Sequence, residues 1–226
     1  MPSIGMPLSS LRPSARSQAS RGWATSSQLR LAALALGATA VTALVCLLAM
    51  YAGVPAAGMV NDWLNGAFGW LALGLAMLVW REQSSGWRGD LGLLAAALGA
   101  LLMTWGSWLV ITDTTGYVLA GLVSTLGVAA IGAWLLLVQK APRPGAGRLG
   151  LAAGAVMVSG VLALPGVLQG TDDYSGAPWH VYVAGVAWVG AYVLLPAWCR
   201  ALRAGLLRLD QSEPTAASAS PTAVRR

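Results

Sequence analysis

The chain has 226 residues, of which 57% are hydrophobic and only 10% charged, with a formal net charge of +6 and a mean hydropathy of +0.66. Soluble domains carry about 25% charged residues, so this composition excludes an ordinary soluble globular protein. One histidine excludes a haem held by two histidines of this chain alone, and Cys46 and Cys199 lack the spacing of a metal or redox pair.

Residues 1–29 are rich in Ser, Arg and Pro and contain no acid. They read as a disordered basic tail, a composition that an organelle transit peptide also shares. The apolar run after them is longer than the roughly 7–15 residues of a signal-peptide core. The domain that follows is expected over 30–208, with a second disordered tail of Ala, Ser, Thr and Pro over 209–226.

Within 30–208 lie six apolar segments: 31–54, 63–80, 91–112, 117–138, 149–169 and 180–199. The third is the clearest. From Leu91 to Thr112 it holds no Asp, Glu, Lys, Arg or His, with Arg88 and Asp90 just before it and Asp113 just after. At ~1.5 Å per residue such a helix covers about 33 Å, enough for a hydrocarbon core of ~30 Å. Breaks separate the segments: Pro55, Gly58 and Asn61; Ser84 to Gly89; Asp113 to Gly116; Pro142 to Gly147; Gly170 to Pro178. The expected fold is all-α, a polytopic membrane protein of six transmembrane helices.

All fourteen basic residues fall on one side of that arrangement. The N-terminal tail has Arg12, Arg16, Arg21 and Arg30; the second loop Arg81 and Arg88; the fourth Lys140, Arg143 and Arg148. Arg200, Arg203, Arg208, Arg225 and Arg226 close the chain. The positive-inside rule puts that side, and so both termini, in the cytoplasm. Glu82, Asp90, Asp210 and Glu213 share it, giving +10 there; Asp62, Asp113, Asp172 and Asp173 give −4 outside, which returns the total of +6. The high pI is thereby read as orientation toward anionic lipid, with no nucleic acid as partner. Thirteen Arg against one Lys, with much Ala, Gly and Leu, point to a bacterial plasma membrane.

The six segments also read as three parallel hairpins. Leu-Gly-Leu opens the third and fifth at Leu91 and Leu149. The small pairs Gly66-Ala67, Ala120-Gly121 and Ala184-Gly185 are each followed, thirteen residues after the second member, by Trp80, Trp134 and Trp198. Two stripes at four-residue spacing are expected as packing seams: Gly92, Ala96, Ala100 and Thr104, and Gly121, Thr125, Ala129 and Ala133. Pro165 and Pro196 are expected to kink the fifth and sixth helices.

No ionisable residue is expected deep within a span, which lowers the case for a proton-coupled carrier. Candidate ligand-binding residues gather on the outer side: Asp62, Asp113, Asp172, Asp173 and His180, with Trp105, Trp108, Trp179 and Tyr182. Carboxylates and an imidazole suit a divalent metal, or an aromatic-lined acidic mouth suits a cation, although a single His without a paired His or Cys is a weak metal signal. The structural alternative is an interfacial belt of Trp and Tyr, including Tyr51, Tyr117 and Tyr174, with Asp62 capping the start of the second helix. Ser107, Ser124, Thr125 and Ser159 read as buried hydroxyls bonded within or between helices. There is no HExxH, Gly-Xaa-Ser-Xaa-Gly or phosphate loop, and no metal or cofactor is expected. The functional expectation is a non-enzymatic accessory subunit, partnered with lipid and other membrane subunits, or a binder of a small ligand at the outer face. The alternatives are a small channel or carrier for a cation or neutral solute, and an intramembrane enzyme using His180 with Asp172 or Asp173.

Overall fold

The computed structural model describes residues 15–82, 86–138, 146–173 and 175–217. Among them there is no strand, and six helices are each long and apolar enough to cross a membrane. We number these α1 (Ala15–Tyr51), α2 (Pro55–Glu82), α3 (Trp87–Ile111), α4 (Tyr117–Val138), α5 (Ala146–Leu168) and α6 (Trp179–Arg208). Consecutive helices α1 to α5 pack on one another, and α6 packs on both α5 and α1. The most enclosed of the six is α4. Large apolar side chains such as Leu34, Leu48, Leu94, Leu101 and Val161 stand exposed on the flanks. In water they would form an aggregating patch; against lipid they are in their own solvent.

Two helical ends run past the boundaries read from composition. The first helix begins at Ala15, inside the stretch expected to be a tail, and α6 continues as Leu195–Ala217 beyond residue 208. Extending an existing helix adds one hydrogen bond per residue fixed, with no further nucleation cost. The remaining tail residues, 1–14 and 218–226, lie outside the described residues, as do Lys140, Arg143 and Tyr174.

The second helix holds the main correction. It starts at Pro55, not at Trp63. Proline is suited to a first helical turn, where its missing N–H is not needed. Pro55, Gly58 and Asn61 therefore do not interrupt the chain; they form the first two turns of α2. Asp62 is thus not a helix cap but an interior residue, about 10 Å past the helix start at ~1.5 Å per residue.

The turns after α1, α3 and α5 share one geometry. Gly53, Asp113 and Gly170 each have a left-handed backbone, with φ of 94°, 52° and 65°. Each donates its N–H to a carbonyl three residues back, and the next residue donates five back. For Asp113 these bonds are 3.1 Å to Val110 and, from Thr114, 3.1 Å to Leu109. This paired closure satisfies carbonyls that a helix end would leave unbonded.

Close packing involves glycines outside the expected stripes as well. A Cβ on Gly99 would lie 2.9 Å from the Gly127 carbonyl oxygen, and one on Gly127 2.8 Å from that of Gly99. The backbones of α3 and α4 therefore touch along Gly99 and Gly127. Gly132 and Gly154 do the same for α4 and α5. Ala100 of the predicted α3 stripe faces the other way, its backbone 2.9 Å from a Cβ on Gly69 of α2. Between lipid-soluble helices, such approach is a principal source of association.

Both prolines coincide with altered helical bonding. Pro165 cannot bond to the Val161 carbonyl, and the Leu164 N–H takes that oxygen at the end of a 3-10 stretch, Ser159–Ala163. Before Pro196 the chain widens instead into a π-turn, Gly190–Leu194, closed by the Leu195 N–H on the Gly190 carbonyl. One end of the bundle, around Trp134, Trp198, Leu135 and Leu202, is filled with apolar side chains. There the Trp134 and Trp198 rings meet edge to face at 6.1 Å.

Candidate functional site

Polar residues concentrate at the other end. Among the described residues six polar side chains are buried: Asn61, Asp62, Asn65, Ser107, Ser124 and Thr125. All six line one cavity of about 260 Å³, together with Tyr192 and Trp188. The first three come from α2, Ser107 from α3, Ser124 and Thr125 from α4, and the two aromatics from α6.

Local sequence explains why they converge. Asn61, Asp62 and Asn65 are spaced by three and four, so they occupy one face of α2. Gly106 lets α3 lie against α4: a Cβ there would be 2.7 Å from the Ala120 carbonyl oxygen and would overlap the Ser124 hydroxyl. Ser107, the next residue, faces α2 at Gly66. Gly121 lines the cavity, and a Cβ added there would meet nothing within 4 Å. The π-turn carries Tyr192.

Hydrogen bonds hold the walls. The Tyr192 hydroxyl donates to Asn65 Oδ1 at 2.6 Å and lies 3.5 Å from Asn61 Oδ1. The Trp188 indole donates to Thr125 Oγ1 at 2.9 Å, and that hydroxyl donates to the Gly121 carbonyl at 2.7 Å. The Trp188 and Tyr192 rings lie 5.0 Å apart. Asn61 is the hydrogen-bonding neighbour of Asp62, which is 8% exposed. One group is left over: Ser107, 6% exposed, has a hydroxyl oxygen without a partner. A buried hydroxyl without a partner is costly and calls for an explanation such as a bound molecule.

Of the nine residues expected at an outer site, only Asp62 borders this cavity. Asp172 reaches from the loop after α5 to the start of α4, accepting from the Gly116 N–H at 2.8 Å and the Leu119 N–H at 3.2 Å. It is a capping carboxylate supplied from a distant part of the chain. Asp173 accepts from both the Ser175 N–H, at 2.9 Å, and the Ser175 hydroxyl, which hold its carboxyl below the usual carboxylate range. Asp113 is the left-handed residue that closes α3. His180 Nδ1 donates to the Leu162 carbonyl in the 3-10 stretch at 3.1 Å. Trp105, Trp108, Trp179 and Tyr182 are exposed. Among the described residues no three His, Cys, Asp or Glu side chains gather as a metal site would require.

Asn61, Asn65, Trp188 and Tyr192 were not singled out as site residues by the sequence. The signal available was the Asn-Asp-x-x-Asn spacing, three polar residues on one helical face in otherwise apolar surroundings.

The fold defines a class: an all-helical, multi-pass membrane protein. Compared with protein-family models, curated proteins and solved structures, the chain matches none.

Proposed function

We propose that the chain is a non-enzymatic membrane protein that binds a small polar ligand in the cavity between α2, α3, α4 and α6. One observation carries this reading: every buried polar side chain among the described residues faces the same void, and the Ser107 hydroxyl in it has no partner. Polar groups kept inside a membrane bundle are expensive and mark sites of solute contact. At about 260 Å³ the cavity is below the roughly 300–1,000 Å³ of drug-sized pockets, so it suits a small solute.

Among the described residues, Arg30, Arg81, Arg88, Arg148, Arg200, Arg203 and Arg208 belong to the opposite ends of their helices. On the positive-inside rule the cavity opens toward the outside of a bacterial plasma membrane, with both termini cytoplasmic. An open channel has less support, because Trp134, Leu135, Leu195 and Trp198 fill the core beyond the cavity. Enzymatic use of His180 has less support too, since neither it nor Asp172 or Asp173 borders the void. An accessory role beside other membrane subunits rests on composition alone, and co-purification tests it.

The binding reading is tested by thermal unfolding of the full chain in mild detergent with a panel of small neutral, cationic and anionic solutes. A solute that raises the midpoint in the native chain, and not in Gly121→Leu, supports it. Gly121→Leu fills the void from a position where a Cβ meets nothing. A panel without effect on the native chain overturns it.

A further inference from the structure

The cavity is polar but not balanced in charge. Asp62 is its single carboxylate, and its lining contains no Lys, Arg or His. Burying an ion without a partner is far more costly than burying a neutral group. A buried carboxylate is relieved by taking up a proton or by a cationic partner, and in this cavity the only source of a cation is the ligand.

We propose that this cavity takes a small organic ammonium ion, with the Asp62 carboxylate as its counter-charge and Ser107 Oγ as a further acceptor. The inference deepens the binding reading above and rests on it. The remaining lining supports the choice. An ammonium group brings N–H donors and no acceptor. The Ser107 hydroxyl, unpartnered in the protein, can accept one of them. The Asn61 and Asn65 carbonyl oxygens lie at the Tyr192 hydroxyl on the cavity wall, and each amide oxygen has a second lone pair beyond that contact. Trp188 and Tyr192 supply aromatic faces, which attract organic cations electrostatically. Leu47, Leu122 and Val181 supply apolar wall for a short alkyl tail. A divalent metal ion fits less well, because one carboxylate cannot balance two charges and hard cations are held by several oxygen ligands. An alkali ion shares the single charge but leaves the apolar and aromatic wall without a role.

The test uses the full chain in lipid nanodiscs and calorimetric titration with propylammonium chloride, propan-1-ol and sodium chloride. Propylammonium is expected to bind, and propan-1-ol, of similar size without the charge, to bind at least tenfold more weakly. Asp62→Asn is expected to weaken propylammonium roughly a hundredfold, and Ser107→Ala roughly tenfold, the scale of one hydrogen bond to a charged group. Gly121→Leu blocks the void without touching the charge, so it keeps the test decisive if Asp62→Asn does not fold; it is expected to abolish propylammonium binding. Equal binding of propan-1-ol and propylammonium, unchanged by Asp62→Asn, overturns the ammonium assignment and leaves the binding reading intact. Displacement of propylammonium by equimolar sodium chloride also overturns it, in favour of an alkali ion. Absence of propylammonium binding overturns it outright, and the solute panel then decides separately whether the cavity binds anything.

Discussion

Tyr192 of α6 donates its hydroxyl to Asn65 of α2 at 2.6 Å, joining two helices whose contributing residues are 127 positions apart in the chain. Both groups are buried on the cavity wall. Tyr192→Phe removes the donor and leaves the Asn65 carbonyl oxygen with less to bond. In a double-mutant cycle with Asn65→Ala the coupling is expected to be about 0.6–1.7 kcal/mol, the range of hydrogen bonds between membrane helices. Unfolding in mixed micelles with increasing SDS measures it, and additive effects would show that the bond contributes nothing.

Asp172 ties the loop after α5 to the first turn of α4 through the Gly116 and Leu119 amides. Asp172→Ala is expected to lower stability by about 0.5–2 kcal/mol, as for loss of a helix N-cap. Hydrogen exchange at those two amides should accelerate ahead of the rest of α4.

The contact of α3 with α4 predicts a sharp difference among glycines. Gly99→Ala and Gly127→Ala each push a methyl against a backbone carbonyl, which cannot swing away as a side chain would. Each is expected to cost about 1–3 kcal/mol, the scale of overpacking. Gly74→Ala meets nothing within 4 Å and is expected to be neutral or slightly stabilising. Thermal unfolding of the three variants in one detergent checks the ranking.

Asp113 occupies the left-handed position that glycine fills after α1 and α5. Asp113→Gly is expected to be tolerated. Asp113→Val places a β-branched side chain at φ 52° and is expected to lose about 1–2 kcal/mol. If both variants unfold alike, the conformation at this position has no energetic role.

Asp173 is held below the usual carboxylate range by Ser175. Its bonds therefore contribute to the folded state above the ordinary carboxylate pKa and are lost as the pH falls through the lowered value. Protection of the Ser175 amide from exchange is expected to persist at mildly acidic pH and to disappear only in stronger acid. In Asp173→Ala that protection should be weak at every pH.

The six spans were legible because a run such as Leu91 to Thr112 carries its own signal: nothing charged over the thickness of a bilayer. Tyr117–Val138 was read to the residue. The start of α2 was misplaced for the same reason in reverse. Pro55, Asn61 and Asp62 lower the local hydropathy and look like a break, although proline opens a helix and the polar residues turn inward. The site was correspondingly half visible. Asp62 stands out by its charge, as a candidate ligand-binding residue and alternatively as a helix cap; it borders the cavity from the helix interior. Asn65 and Tyr192 carry no net charge and do not interrupt an apolar run, so only the folded bundle brings them together. Thr125 reads both as packing and as a buried hydroxyl bonded within or between helices, and it bonds the Gly121 carbonyl and receives the Trp188 indole; the identity of that partner, 63 residues away, is announced by no local spacing. The loop acids Asp172 and Asp173 share a side with Asp62, and side alone does not tell a capping carboxylate from one that faces a void.

The widened turn at Gly190–Leu194 has a consequence for the register of α6. A π-turn holds one residue more than a regular helix needs over the same stretch. Winding all of these residues into a regular helix instead would rotate everything on one side of the turn by ~100° against the other. With Trp198 and Cys199 kept in their places, Trp188 would swing off Thr125, and the aromatic wall would turn toward lipid. The widened turn thus acts as an angular offset: it lets one continuous rod present its two halves to different sets of neighbours.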